Sequence, residues 1–333
     1  MLARERFHAV ANFQPFDRLP MIEWASWWDT TLARWYQEGL PAELTDRYDL
    51  YRHFGLDVYQ QDWIAPHVPA APTHGAPVIT GMDDYLALRP TLFPEHPVKT
   101  AMWQRWAQQQ AEGDTVLWFS LDGFFWFPRR LFGIEPHLYA FYDEPELMHL
   151  INDDLTEWNL RVIEEICSIC TPDFMSFGED MSYNHGPMLS HELFNEFLRP
   201  YYQRIVPVLR ERGIVPVMDS DGDVTELAPW LEEVGIRGIL PLERQAGVDI
   251  ACLRADHPEM LFIGHFDKMT MSSGKEAMRA EFERLLPTAQ RGGFLISVDH
   301  QTLPGVSYAQ YLDYLELFRE YAEKAGKANI ITI

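Results

Sequence analysis

Cysteine, basic charge and long apolar runs are all scarce in this chain. Three cysteines in 333 residues cannot build a disulfide framework. Cys167 and Cys170 have C-x-x-C spacing, but no second pair completes a zinc site. They fall in Leu155–Cys170, which reads as an amphipathic helix, so both are expected to be buried helix residues. Cys252 has only Arg254 near it in sequence to stabilise a thiolate, and is expected to be structural. Lys and Arg number 27 against 50 Asp and Glu, a net charge of −23. Nucleic acid and anionic membranes demand cationic surface that displaces counterions, so neither is an expected partner. No run of 18 apolar residues occurs, and Met1–Arg6 leads into a polar amphipathic pattern without the apolar centre of a signal peptide. The expected location is therefore cytoplasmic.

Against these absences stands a core-forming composition, 47% hydrophobic, enough for one large domain spanning residues 1–333. Eight short apolar runs recur along it, each ending in an acidic, histidine or tryptophan-flanked tip: Met21–Glu23, Asp57–Asp62, Thr115–Asp122, Phe174–Asp180, Val215–Asp221, Gly238–Glu243, Leu261–Asp267 and Phe294–His300. Helical periodicity is clearest over Pro145–Ile169, His191–Arg212, Val224–Val234, Gly274–Gln290 and Ser307–Ala325. Ser190 and Ser307 mark helix starts; Gly213, Gly235, Gly292 and Gly326 mark stops. Strand and helix in alternation imply a parallel sheet, and eight repeats imply an α/β fold, the (β/α)8 TIM barrel, here with an N-terminal extension. A doubly wound open sheet is the rival, but no G-x-G-x-x-G or Walker loop follows any strand. Residues Ala65–Pro97, with seven prolines from Pro66 to Pro97, predict a long irregular excursion after strand two rather than a helix.

A barrel gathers its strand C-termini at one mouth, so residues far apart in sequence share a pocket. The strongest local feature is Val215-Pro-Val-Met-Asp219-Ser-Asp221-Gly222. Residues two apart in a strand face the same side, so both carboxylates can point into the mouth, while Gly222 lets the backbone turn away. Two desolvated carboxylates repel, and a cation, a cationic substrate or a shared proton must neutralise them. The plainer alternative is a solvated turn in which Asp223 caps the next helix. Glu179-Asp180 ends strand four; adjacent strand residues face opposite sides, so one of the two is expected to enter the pocket. Glu243 ends strand six, and His265, Asp267, Asp299 and His300 follow strands seven and eight. Histidine with carboxylates suits Zn²⁺, Mn²⁺ or Fe²⁺. Trp24, Trp27, Trp63, Trp126 and Tyr183 cluster near the same tips, where aromatic faces would enclose a flat apolar substrate or a methylated ammonium, although core packing accounts for about half of such rings.

The opening Arg4–Asn12 followed by Asp17-Arg18-Leu19-Pro20, the segment Gly178–Pro187 with Phe194–Tyr201, and the ending Gly292-Gly293…Asp299-His300…Pro304-Gly305-Val306 resemble the uroporphyrinogen decarboxylase superfamily over essentially the whole chain. The resemblance implies a (β/α)8 barrel. It also implies one of two activities, a carboxy-lyase of tetrapyrrole biosynthesis or a zinc-dependent methyltransferase working with a corrinoid protein. The decarboxylase carries arginines after its first strand, where this chain reads Trp24-Ala-Ser-Trp27-Trp28-Asp29 with no arginine before Arg34; only Asp62, similar to its pyrrole-binding aspartate, and His300, similar to its pocket histidine, survive. The methyltransferase branch ligates zinc through an H-x-C pair after strand five and a cysteine after strand eight, positions held here by Asp219-x-Asp221 and His300.

The expectation that results is metal-assisted methyl transfer or demethylation of a small methylated substrate with a corrinoid-protein partner. In it Asp219, Asp221 and His300 hold the metal, and Glu179 or Glu243 supplies acid–base capacity. Trp24, Trp27, Asp62, Trp63, Trp126 and Tyr183 contact substrate. The alternatives are a metal-independent decarboxylase and a non-catalytic binding barrel. Members of the superfamily also form homodimers.

Overall fold

A computed structural model describes residues 1–113 and 115–331, and side-chain burial through Gly326. Seven of the eight expected runs are strands: β1 (Val58–Ile64), β2 (Thr115–Asp122), β3 (Phe174–Gly178), β6 (Val215–Asp219), β7 (Gly238–Leu240), β8 (Leu261–Phe266) and β9 (Phe294–Val298), with β2–β3–β6 and β7–β8–β9 each parallel. A short antiparallel ribbon, β4 (Ser182–Tyr183) with β5 (Gly186–Pro187), follows β3. The chain is thus mixed α/β with the strand–helix alternation of a barrel, but not the closed eight-stranded barrel expected.

The missing member is Met21–Glu23. Its backbone groups go elsewhere: the Met21 N–H donates to Asp57 Oδ2 (2.9 Å), the Met21 carbonyl accepts from the Asp57 N–H, and the Trp24 N–H reaches Ser297 Oγ (3.3 Å). The backbone groups at Met21 and Trp24 that flank this run are thus spent on Asp57 and on a serine side chain.

The chain divides into two compact units, Met1–Gln60 with Gln109–Val116 and Gly238–Ile333 as the first, and Gln61–Gln108 with Leu117–Arg237 as the second. In the second unit, β1, β2, β3 and β6 follow one another in the sheet. Trp118 pairs with Phe174 and Asp122 with Gly178, then Phe174 with Val215 and Gly178 with Asp219. This register brings the tips of three strands to one level. In the first unit, β7, β8 and β9 follow in order, with His265 opposite Ser297 and Phe266 opposite Val298. Strands β2, β3, β8 and β9 are buried along their whole length, as expected of parallel strands covered by helices on one side and side chains on the other.

Several helix expectations need correction. Ala65–Pro97 contains a helix, Met82–Leu92. Asp84 accepts from the N–H and hydroxyl of Thr80 just before it, and Tyr85 is buried with its hydroxyl on Asp154, while Pro90 comes late enough to cost only the last turn. His191–Arg212 is two helices, His191–Phe197 and Arg199–Glu211, broken at Leu198 (φ −118°). The final helix runs Tyr308–Ile331, through Gly326. That glycine is a close approach and not a stop, since a Cβ there would stand 2.1 Å from the Asp17 carbonyl oxygen. Cys167 and Cys170 are half-buried and Cys252 is exposed, all three as free thiols.

Candidate active site

The tips of β2, β3 and β6 in the second unit carry Asp122, Glu179-Asp180 and Asp219, and each carboxylate has a different fate. Asp219 is buried at 7% exposure. Burial first, then the charges of Asp180 and Asp221, push its carboxyl well above the ordinary range. Burial and like charge both act against the ionised form of this carboxyl. Asp180 is held with φ +43°, a left-handed conformation that costs a non-glycine residue about 1 kcal/mol and is tolerated best by Asn and Asp. Its N–H and that of Glu179 both reach back to the Asp219 carbonyl (3.4 and 2.9 Å).

The D-S-D-G turn then folds under the β4–β5 ribbon. Ser182 Oγ donates to the Asp221 carbonyl (2.5 Å), the Met181 N–H to Ser220 Oγ (3.1 Å), and the Asp223 N–H to the Tyr183 carbonyl (2.9 Å). Gly222 has φ +84°, and a Cβ there would lie 2.7 Å from the Tyr183 backbone, so only glycine permits this approach. Asp223 accepts from the N–H and hydroxyl of Thr225. Asp223 thus closes a local turn with Thr225, while the helix that follows starts at Leu227 with Glu226, not Asp223, at its N-cap.

Glu179 is occupied differently. Its carboxylate accepts three consecutive backbone N–H groups, from Phe124, Phe125 and Trp126 (2.6, 2.7 and 2.9 Å), and the Tyr202 hydroxyl. Burial pushes the group up to about 7 against those four donors. This carboxylate organises the start of the helix Trp126–Phe132, and Asp180, not Glu179, is the neighbour of Asp219. Asp122 (1% exposed) binds Arg130 and the indole N–H of Trp63 (3.1 Å); burial raises it while Arg130 and Trp63 pull it down. Asp62 accepts from Lys99 Nζ and Trp103 Nε1, 3.0 Å each, which ties the helix Thr100–Ala111 to β1. Trp63 (46% exposed) and Tyr183 (49%) offer open ring faces here, and Trp126 lies half-buried beneath the guanidinium of Arg129.

The first unit collects a second polar group. Glu23, 2% exposed, accepts from Tyr311 OH (3.1 Å) and Ser297 Oγ (3.2 Å), and burial lifts it to about 8. Asp299, fully buried, takes the Arg244 N–H, the Gln245 amide (2.8 Å) and Lys268 Nζ (3.4 Å). His300 accepts the Gln301 N–H on Nδ1 (2.9 Å) and meets Trp24 edge to face; burial, then Lys268, lowers its pKa. Trp24 is pinned by its own Nε1 to the Val298 carbonyl (2.7 Å). Glu243 precedes the short 3-10 turn Arg244–Ala246. Trp27, 4% exposed and ringed by Trp35, Tyr51, Phe54 and Tyr311, belongs to the core. His265, with φ +66°, shares its nitrogens with the Leu242 carbonyl and Arg284 and is held down at about 4 by burial. Arg129 and Tyr202 were not singled out by spacing, since nothing in a lone Arg or Tyr announces a buried partner.

Among the described residues no group of three or more His, Cys, Asp or Glu is placed to hold a metal ion. Asp219 and Asp221 stand in the second unit and His300 in the first.

The sequence pattern of uroporphyrinogen decarboxylase (URO-D) matches residues 131–321, more than half of the chain. The chain belongs to the URO-D family. No curated protein matches it significantly by sequence. Among solved structures it is similar to a methyltransferase from Methanosarcina mazei, at a TM-score of 0.70 and 13% identity over 96% of this chain and 99% of that one. At this identity the likeness establishes the fold of this URO-D member and no more. A B12-independent methionine synthase from a Shewanella species is similar at a TM-score of 0.46 and 11% identity, over 73% of this chain and 71% of that one. None of the described helices is long and apolar enough to cross a membrane.

Proposed function

We propose that this URO-D family member removes a methyl group from a small methylated amine, ether or thiol, with Asp219 as the general acid. The observation that carries this reading is the Asp219 carboxyl buried at the tip of β6, whose pKa burial and then the neighbouring charges of Asp180 and Asp221 raise. A methylated heteroatom is a poor leaving group until it is protonated. As the carbon–heteroatom bond breaks, its electron pair stays on nitrogen, oxygen or sulfur, the Asp219 proton goes to that atom, and the methyl group passes to a nucleophile. A corrinoid carried by a partner protein would supply that nucleophile. Asp219 is left as a carboxylate beside two others, and the same repulsion that raised its pKa returns a proton to it from solvent. Trp63, Trp126 and Tyr183 supply the apolar faces. The fold shared with a methyltransferase from Methanosarcina mazei agrees with this chemistry.

The zinc that the resemblance implies does not fit the residues present. Thiolates are replaced by carboxylates, and the described residues include no three-ligand group, so Asp219, Asp221 and His300 do not assemble a zinc site. The decarboxylase reading requires Asp62 to orient a pyrrole, yet both Asp62 oxygens are engaged by Lys99 and Trp103.

The test is methyl transfer from N-, O- and S-methyl compounds to a reduced corrinoid, followed by the corrinoid absorption spectrum. Asp219→Asn should lower kcat by about 10²–10⁴-fold with substrate affinity retained. Full activity in that variant, or decarboxylation of a tetrapyrrole by the wild type, would overturn the proposal.

A further inference from the structure

Three cations border the strand tips of the second unit, and two are committed. Lys99 is paired with Asp62, and Arg130 with Asp122 and the Pro66 carbonyl. Arg129 differs. It is half-buried, its guanidinium lies 5.4 Å from the centroid of the Trp126 ring, and it donates one hydrogen bond, 3.3 Å, to the carbonyl oxygen of Asp180. Among the described residues it forms no ion pair. A guanidinium has five N–H groups in a planar fork matched to a carboxylate, and its place over the Trp126 indole with a bond to the Asp180 carbonyl restricts the side chain before any ligand arrives. In a chain carrying 50 acidic residues against 27 basic ones, an oriented arginine without a carboxylate, one hydrogen bond away from the neighbour of Asp219, is placed to take that carboxylate from a ligand.

We propose that Arg129 binds an anionic group of the substrate, so that the methylated compound is also a carboxylate: an N-methylated amino acid or a methoxy acid. The inference rests on the methyl-transfer reading above and narrows its substrate class. Asp219 serves the methylated heteroatom at one end, and Arg129, beside Trp126, holds the acid at the other. The acidic surroundings make the contact selective, because an anion gains here only where it meets the arginine fork and is repelled elsewhere.

The experiment is calorimetric titration of wild type, Arg129→Gln and Arg129→Lys with N,N-dimethylglycine, sarcosine and methoxyacetate, each beside its primary amide, which lacks the carboxylate, with thermal melts to confirm folding. Each amide keeps the methylated atom and removes the carboxylate charge. Wild type should bind at least one acid about tenfold or more tighter than its amide. Arg129→Gln should abolish that preference while leaving amide affinity in place, and Arg129→Lys should keep part of it, losing the bidentate fork. Equal affinity of acid and amide in the wild type, or a preference that survives in Arg129→Gln, overturns the role of Arg129 and leaves the methyl-transfer reading standing. Binding of neither acid nor amide across all three pairs overturns the methylated-substrate reading and this inference with it.

Discussion

The backbone of Gly123 passes so close to Glu179 that a Cβ on it would stand 2.0 Å from the carboxyl carbon. That carboxylate is held by three successive N–H groups and the Tyr202 hydroxyl, so it cannot retreat without abandoning them. Gly123→Ala should destabilise the protein by about 3 kcal/mol or more, from overpacking together with stranded donors. A denaturant midpoint indistinguishable from wild type would contradict the packing described.

Glu23 links stability to pH. Its carboxyl is raised from 4.5 to about 8 by burial, so between those values the folded state holds a proton that the unfolded state has released. Stability contributed by this group is therefore full below pH 4.5 and falls as pH rises towards 8, by on the order of 4 kcal/mol. Glu23→Gln carries no such proton. Relative to wild type it should gain stability steadily from pH 5 to pH 8, as read in urea melts at both values; a constant difference would rule out a buried protonated Glu23.

The same sign applies to Asp219, whose folded pKa is likewise raised. Asp219→Asn mimics the neutral acid in shape and charge. It should unfold at least as late as wild type at pH 8 while losing methyl-transfer activity, a separation of stability from catalysis that a structural aspartate would not show.

Lys268 lies 3.4 Å from Asp299, with side chains 11% and 0% exposed. Removing the lysine leaves a fully buried carboxylate with neutral donors only. Lys268→Ala should cost about 3 kcal/mol, and adding Asp299→Asn should recover part of that loss. An additive double-mutant cycle would show that the two do not interact.

Much of the second unit's site was legible as strand ends. Asp219 and Asp221 stand out because a period of two, a glycine and an apolar run in front of them leave few other arrangements, and Gly222 turns the chain as its type suggests. Glu179 was legible as a site residue only in part. Its position beyond β3 is visible in sequence, but its capture by the N–H groups of residues 124–126 depends on β2 and β3 lying in register, with Asp122 opposite Gly178. Trp27 shows the opposite failure. A tryptophan beside a strand tip looks like a pocket wall, and four aromatic rings from three separate segments were needed to make it core. Met21–Glu23 has the composition of a strand, yet its first N–H goes to the Asp57 side chain and its first carbonyl to the Asp57 N–H.

Composition and local periodicity specify an acidic α/β protein with parallel strands whose tips bear carboxylates, because burial pattern, turn chemistry and charge are properties of residues close together in the chain. Which neighbours add to or offset the effect of burial on each carboxyl is not such a property. Asp219 and Asp122 sit at equivalent strand ends, yet the first meets Asp180 and Asp221 while the second meets Arg130 and Trp63. Charge state in a buried site is set by the few groups within reach through space, and only the packed structure decides which groups those are.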